Sequence, residues 1–170
     1  EKLSLYLNYI GDYQQLGYDY IIKRLKDDGQ EDGGRNMPSF ENMESLGYIL
    51  LQRPLESLNI VYPDERLTAS EDPKFDSKEL VGKTGLSRVM SFKESASSGS
   101  RSDFEYRSED YGRIFSPNEI GKYSAKIKNI TNQIMNSTGV VLIYSQYIDG
   151  GLVPVALALE ELGFTRAGSV

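Results

Sequence analysis

The sequence contains neither cysteine nor histidine. Without thiols it forms no disulfide framework and offers no cysteine nucleophile, and without imidazole it has no histidine general base. Zinc sites of the Cys/His type and the hydrolase triads built on histidine are excluded for the same reason. We therefore find no self-sufficient active site of a familiar kind in these 170 residues.

Long apolar runs are also missing. No stretch approaches the roughly 18 consecutive apolar residues of a membrane span, and no basic segment leads into an apolar signal core. We expect a soluble, intracellular protein with no membrane partner. The 25 acidic and 19 basic residues give a net charge of −6, so the overall balance indicates no nucleic-acid footprint, although it leaves room for local basic patches. Because the chain begins at Glu1 rather than Met, we expect a fragment or a processed product.

Helical patterns dominate residues 1–62. Asp12 begins a predicted helix that ends near Gly29, and a second predicted helix ends at Pro54, where proline interrupts the pattern. The run "LNIVYP" that follows is typical of a short strand or an extended segment. The glycine-rich stretch at 29–36 favours a loop.

The middle of the chain loses periodicity. Residues 63–115 read as a loop-rich, partly flexible insertion, and the Ser/Gly run at 91–103 offers almost no apolar surface to bury. Residues 116–170 then read helix, strand, helix, the unit of an α/β domain. The strand is "VVLIYS" at 140–145, whose continuous apolar pattern is that of a strand buried on both faces. The final helix should end at Gly163, with Phe164 folding back.

The motif "VGKTGL" at 81–86 matches the end of a phosphate-loop pattern at Gly82, Lys83 and Thr84. The first glycine of that pattern would fall at Ser77, and no buried strand precedes the motif. No apolar strand ending in acidic residues follows it to hold magnesium. These departures favour a coincidental match over a true phosphate loop.

Three residues at the end of the predicted strand, Tyr144, Ser145 and Gln146, are the candidate nucleic-acid contacts. Their hydroxyl and amide groups suit a nucleic-acid backbone, but they also serve simply to terminate a strand. Lys126, between Lys122 and Lys128, is a fourth candidate, and a solvated helix face explains this basic set better than phosphate contacts do. The next segment, "YIDGGLVP", reads as a tight turn in preference to a ligand-binding loop.

The segment "YSAKIKNITNQIMNSTGVVLIYSQYIDGGLVPVALALEELGF" resembles the opening of the second RecA-like lobe of superfamily-two helicases. In that pattern Ser124 starts a helix, and 140–145 is the first strand of the lobe. The closer likeness is to helicase-like ATPases of nucleocytoplasmic large DNA viruses, relatives of the poxvirus transcription-termination ATPase and early transcription factor. "QRPLESLNIVYP", "VGKTGL" and "YGRIFSPNEIGKYSAKIKNI" extend that likeness, and "GDYQQLGYDYI" resembles the helix that leaves the first lobe.

The resemblance implies an incomplete α/β, RecA-like lobe, preceded by a helical inter-lobe region at 1–62 and the insertion at 63–115. It implies part of a viral helicase or translocase acting in transcription or genome handling, located in the virion or the infected-cell cytoplasm. The expected partners are nucleic acid, the missing first lobe, and viral transcription or virion proteins. ATP and magnesium belong to the parent protein, and we expect no cofactor, catalytic or metal residue in this chain. The first alternative is a non-catalytic virion or scaffold component that retains a helicase-like interaction module. A second, less favoured, is an α/β nucleotide-binding protein that uses Gly150 and Gly151.

Overall fold

A computed structural model describes residues 5–31, 46–93 and 103–167. In this part of the chain the fold is mainly helical and contains one two-stranded antiparallel sheet. Its elements are α1 (Asp12–Glu31), α2 (Leu46–Ser57), α3 (Arg66–Ala69), a 3₁₀ helix (Ser77–Leu80), α4 (Gly82–Val89), β1 (Met90–Lys93), β2 (Asp103–Tyr106), α5 (Ser108–Tyr111), α6 (Ile120–Tyr123), α7 (Ala125–Met135), a π-helical turn (Ile148–Leu152) and α8 (Val153–Glu161).

The two predicted helices of residues 1–62 are present, with different ends. Helix α1 continues past Gly29 to Glu31, and α2 runs through Pro54 to Ser57. The prediction that proline ends α2 is wrong, because Pro54 is buried there and its packing offsets the hydrogen bond that the ring removes. The loop predicted at 29–36 lies mostly outside the described residues.

The centre of the fold is the extended segment at 60–62, in which Ile60, Val61 and Tyr62 are completely buried. The Val61 N–H donates to the Tyr123 carbonyl at 3.0 Å, and the Tyr62 N–H donates to the Leu80 carbonyl at 2.8 Å. The segment thus ties α6 to the 3₁₀ helix without belonging to a sheet. In "LNIVYP", Leu58 and Asn59 form a turn after α2, and the residues that follow pair in no sheet of the described part, so the short-strand alternative is wrong.

The described part of the predicted insertion contributes directly to the core. Leu80, Leu86 and Val89 are buried. Strands β1 and β2 are antiparallel, with Met90 opposite Tyr106 at one end and Lys93 opposite Asp103 at the other. The chain at 77–93 is therefore more ordered than its weak periodicity predicts, because short helices need only one or two apolar residues facing the core. Of the flexible run predicted at 91–103, residues 94–102 lie outside the described part.

Helix α7 begins where the helicase resemblance implies, after a separate short helix, α6, that ends at Tyr123. The Ser124 hydroxyl accepts the Ile127 N–H at 2.9 Å and caps the start of α7. Gly163 has a φ of +92°, and the Phe164 N–H donates to the Leu159 carbonyl at 3.1 Å, so α8 ends on a left-handed glycine with the chain folding back.

The predicted buried strand at 140–145 is wrong. Between α7 and the π-helical turn the chain has no regular secondary structure and pairs with no strand in the described part, and Leu142 is 93% exposed. The apolar pattern misleads here, because the described residues provide no neighbouring strand and no layer to cover the segment.

Candidate functional site

The segment at 140–146 is the most exposed apolar stretch of the C-terminal unit. Val140, Leu142 and Tyr144 project into solvent, whereas Ile143 packs against the main core. Within the part described, no backbone group of 140–145 is hydrogen-bonded to another backbone group. The backbone groups of this segment therefore have no backbone partner in the described chain, although its sequence pattern is that of a strand.

The three candidate contacts at the end of this segment have different environments. Tyr144 is 88% exposed, and its ring is available to a ligand. The Ser145 hydroxyl accepts the Tyr147 N–H at 3.1 Å, and a methyl group added to Gly151 would lie 2.5 Å from it. Gln146 is exposed. Ser145 thus shapes the turn, which favours the turn interpretation of "YIDGGLVP", and Tyr144 is the residue best placed to contact a partner.

Lys126 lies elsewhere, on α7. Its ammonium group donates to the Asn59 side-chain oxygen at 2.7 Å, and burial lowers its pKa. Its neighbours are also engaged, since Lys122 lies over the rings of Tyr13 and Tyr123 and Lys128 donates to the Pro117 carbonyl. The structure brings Lys126 into no contact with Tyr144 or Ser145. This basic set mainly ties the helices together.

A polar cleft of about 390 Å³ lies where the end of α2, the start of α4 and the π-helical turn meet. It is lined by Gln52, Arg53, Glu56, Lys78, Val81, Gly82, Lys83, Thr84 and Asp149. Asp149 is the second residue of the π-helical turn, and its backbone carbonyl accepts a hydrogen bond from the Tyr62 hydroxyl at 2.5 Å. The cleft thus joins three segments that are far apart in sequence.

Glu56 is the unusual residue of this cleft. As a residue it is only 9% exposed, and neither carboxylate oxygen accepts a hydrogen bond from the described part of the chain, but both oxygens keep access to solvent through the cleft. Burial raises the pKa of Glu56, the nearby Asp149 charge raises it further, and Arg53 lowers it less. Methyl groups added to Gly82 or Gly150 would lie 3.2 Å from its oxygens. Both glycines therefore leave space for a carboxylate that has no partner of its own.

The start of α4 faces the same cleft without a cap. Val81 precedes the helix and has no side-chain acceptor, and Gly82 has a φ of +56°, so the regular turn of α4 begins only at Lys83. Lys83 and Thr84 are exposed, and Lys83 pairs with no carboxylate in the described residues. The arrangement places an ammonium group and a hydroxyl beside Glu56.

A second cavity, of about 520 Å³, adjoins the cleft and shares Arg53 and Lys78 with it. Arg24 and Lys74 also line this second cavity. Among its described lining residues, Asp76 is the one with a carboxylate. Arg53 donates to the Ser77 hydroxyl at 3.1 Å and lies 4.0 Å from Asp76, which fixes it between the two cavities. This side of an acidic protein is locally cationic.

Sequence reasoning missed Glu56 and Asp149. Nothing in "QRPLESLN" distinguishes a glutamate that faces solvent from one buried without a partner, because its burial depends on α4 and the π-helical turn. The available signal was "VGKT", whose glycine, lysine and threonine do begin a helix. The helix follows a 3₁₀ turn, and the strand of a true phosphate loop is not there.

In the described residues no three His, Cys, Asp or Glu side chains cluster as a metal site would require. None of the described helices has the length and apolar character needed to cross a bilayer. Comparison of the chain with protein-family models, curated proteins and solved structures gave no match.

Proposed function

We propose that this chain is part of a viral superfamily-two helicase or translocase, in which it contacts nucleic acid and docks against other parts of the machine without being catalytic alone. The observation that carries the proposal is the segment at 140–145, which has the sequence pattern of a doubly buried strand and is exposed and unpaired. A RecA-like sheet would supply strands on both sides of it.

The nucleic-acid role rests on Tyr144. It ends the exposed segment, and a free tyrosine ring can stack on a base, an interaction worth about 1–3 kcal/mol. ATP and magnesium would act at residues of the parent enzyme, because hydrolysis of this kind needs a phosphate-cradling lysine, a magnesium site and an arginine assembled across two lobes. The same exposed segment also supports the second candidate, a non-catalytic interaction module, since an apolar edge suits a protein partner.

Binding of labelled single-stranded DNA and RNA, followed by fluorescence anisotropy at several salt concentrations, tests the proposal. We expect weak, salt-sensitive binding with a Kd on the order of 10⁻⁴–10⁻⁶ M. Tyr144→Ala should weaken it about fivefold or more, as expected for one lost stacking contact. Tyr9→Ala is the matched control, because Tyr9 is 96% exposed and lies on another segment. Equal effects of the two substitutions, or no binding at all, would leave only the interaction module.

A further inference from the structure

The second cavity, of about 520 Å³, is lined by four basic side chains that reach it from three parts of the chain. They are Arg24 of α1, Arg53 of α2, Lys74 of the loop before the 3₁₀ helix, and Lys78 within that helix. Asp76 is the one carboxylate among the described lining residues. The cavity is therefore positively charged, although the protein carries a net charge of −6.

Asp76 does not neutralise this cluster by itself. Its carboxylate lies 4.0 Å from the Arg53 guanidinium and 3.5 Å from the Lys78 ammonium group, so one negative charge is shared between two cations. The same carboxylate also accepts the Lys78 backbone N–H at 2.9 Å, at the start of the 3₁₀ helix. Positive charge thus remains in excess at this wall of the cavity.

Within the described residues, Lys74 has no partner of its own. Its side chain is exposed and makes no hydrogen bond and no ion pair there. Asp72 attracts it at longer range, but that carboxylate accepts a hydrogen bond from Lys23 at 2.6 Å. Like charges held close together repel one another, so the cluster costs folding stability unless an anion neutralises it.

Ser77 provides a second observation that points to a ligand. It lines the cavity and is only 4% exposed, and its hydroxyl accepts an Arg53 N–H at 3.1 Å. In the described part of the chain that hydroxyl donates to no acceptor. Because a hydroxyl can donate as well as accept, an oxygen of a bound anion would use the proton that the protein leaves unused. The contact also fixes the Arg53 guanidinium, whose planar fork suits phosphate oxygens.

We propose that the second cavity binds an anion with two or more phosphate groups, whose oxygens accept hydrogen bonds from Arg53, Ser77 and Lys74. Four cations against one carboxylate leave more positive charge than a single phosphate, at about −2, neutralises. The volume of about 520 Å³ lies within the range of small-molecule sites. The anion is either a free oligophosphate or the backbone of a nucleic-acid strand, and the groups that contact it are the same.

This site is separate from the other regions described above. Its lining includes neither Glu56 nor Lys83 at the start of α4, and it does not include Tyr144. The proposal therefore holds or fails independently of the nucleic-acid role proposed for Tyr144. It concerns binding and implies no transfer of phosphate.

Calorimetric titration of the full chain at low salt with tripolyphosphate and with inorganic phosphate tests the site. Tripolyphosphate should bind about tenfold more tightly or better, because a single phosphate meets only part of the cationic lining. Lys74→Glu should weaken tripolyphosphate about tenfold or more, since it reverses a charge at the cavity. Lys26→Glu is the matched control, because it changes the net charge equally at an exposed position of α1 outside the lining. It should alter the affinity by less than about twofold, as solvent and salt screen a distant charge.

Arg53→Lys tests the guanidinium fork at constant charge. It should weaken tripolyphosphate about threefold or more, because an ammonium group does not reproduce two parallel N–H donors. Thermal melts show whether each variant remains folded. Equal losses in Lys74→Glu and Lys26→Glu, equal affinities for tripolyphosphate and phosphate, or no binding of tripolyphosphate would overturn the proposal. An unchanged affinity in Arg53→Lys would contradict the contact assigned to Arg53.

A single-stranded oligothymidylate distinguishes the two sources of the anion. Displacement of tripolyphosphate by the strand, with both affinities reduced in Lys74→Glu, assigns the cavity to a nucleic-acid backbone. Tripolyphosphate binding that the strand does not displace assigns the cavity to a free oligophosphate, and either result supports the site. Strand binding that persists in Lys74→Glu but falls in Tyr144→Ala would support the nucleic-acid role while excluding the cavity from the path of the strand.

Discussion

Two buried carboxylates in this protein have opposite surroundings. Asp64 has a side chain that is only 1% exposed, and it pairs with Arg66 at 2.7 Å and with Arg88. Burial alone would raise the pKa of Asp64, but the hydrogen bonds from Arg66 and the charge of Arg88 outweigh it and lower the pKa. Glu56 has burial and the Asp149 charge without such partners, and its pKa is raised. Asp64 therefore stabilises the fold as an anion, and Glu56 does not.

The contrast predicts opposite effects of two isosteric substitutions on stability. The contribution of Asp64 is present above its unfolded pKa of about 3.9 and is lost as the pH falls through its lower folded-state value. Asp64→Asn should therefore destabilise the fold at pH 7 by about 1–3 kcal/mol, because it weakens charged hydrogen bonds, and the loss should shrink as the medium becomes acidic.

The favourable contribution of Glu56 is complete below its unfolded pKa of about 4.3 and is lost as the pH rises through its higher folded-state value. Glu56→Gln should consequently raise the melting temperature at pH 7 and have little effect near pH 4. Thermal melts of both variants from pH 4 to pH 8 check the two signs. A Glu56→Gln variant less stable than the parent at pH 7 would mean that the carboxylate has a stabilising partner.

Gly17 marks a close contact between helix α1 and the buried Val61. A methyl group added to Gly17 in α1 would overlap one methyl carbon of Val61 and lie 3.0 Å from the other, and Val61 is completely buried. In a helix alanine is normally better than glycine by about 1 kcal/mol. We expect the clash to reverse this, so that Gly17→Ala destabilises by about 1–3 kcal/mol in urea denaturation.

Gly121→Ala is the matched control for that substitution. In α6 the added methyl group would lie 3.7 Å from the Lys128 side chain, an ordinary contact. It should be neutral or stabilising by up to about 1 kcal/mol. Equal destabilisation of the two variants would indicate that Val61 does not approach α1 as closely as the structure places it.

At the scale of elements, the segment at 140–145 has the sequence pattern of a buried strand, but most of its side chains are exposed. Adjacent residues differ sharply there: Leu142 is 93% exposed, while Ile143 packs against the main core. Leu142→Asp should change the melting temperature of the chain little, whereas Ile143→Asp should lower it clearly, since it places a charge against apolar surface. A strand buried on both faces would lose stability from both substitutions, and that result in thermal melts would contradict the exposed arrangement.

The elements that could be predicted from the sequence are those whose signals are local. The start of α1 at Asp12 and the Gly163 end of α8 each depend on a few neighbouring residues. Predictions failed where distant packing decides. Helix α2 continues through Pro54 because the ring is buried, and residues 77–93 are ordered because Tyr62 and Leu80 hold them.

The candidate site follows the same division. Tyr144 could be named from its place at the end of an apolar run. Glu56 could not, because its missing partner is a property of three segments that meet only in the fold: the end of α2, the start of α4 and the turn at Asp149. The Gly82, Lys83 and Thr84 pattern did mark one wall of the cleft.

At the scale of the whole molecule, the question is whether this chain performs chemistry alone. We expect the 170-residue protein to release no phosphate from ATP, with or without single-stranded nucleic acid. The loop of a phosphate-binding motif is replaced before α4 by the 3₁₀ helix Ser77–Leu80. Transfer of the phosphoryl group would further require magnesium and an arginine held in line with the reacting atoms.

A phosphate-release assay on the full chain, run beside Lys83→Ala and the control Lys26→Ala, measures this directly. Rates of all three at the level of the buffer blank are the expected outcome, because Lys83 lacks the preceding strand and glycine loop that would position its charge on a reacting phosphate. A longer polypeptide that carries both lobes should show turnover stimulated by nucleic acid. If the 170-residue chain itself turned over ATP and Lys83→Ala abolished that activity while Lys26→Ala retained it, "VGKTGL" would be a working phosphate loop despite Ser77, and the division of labour proposed for this protein would fail.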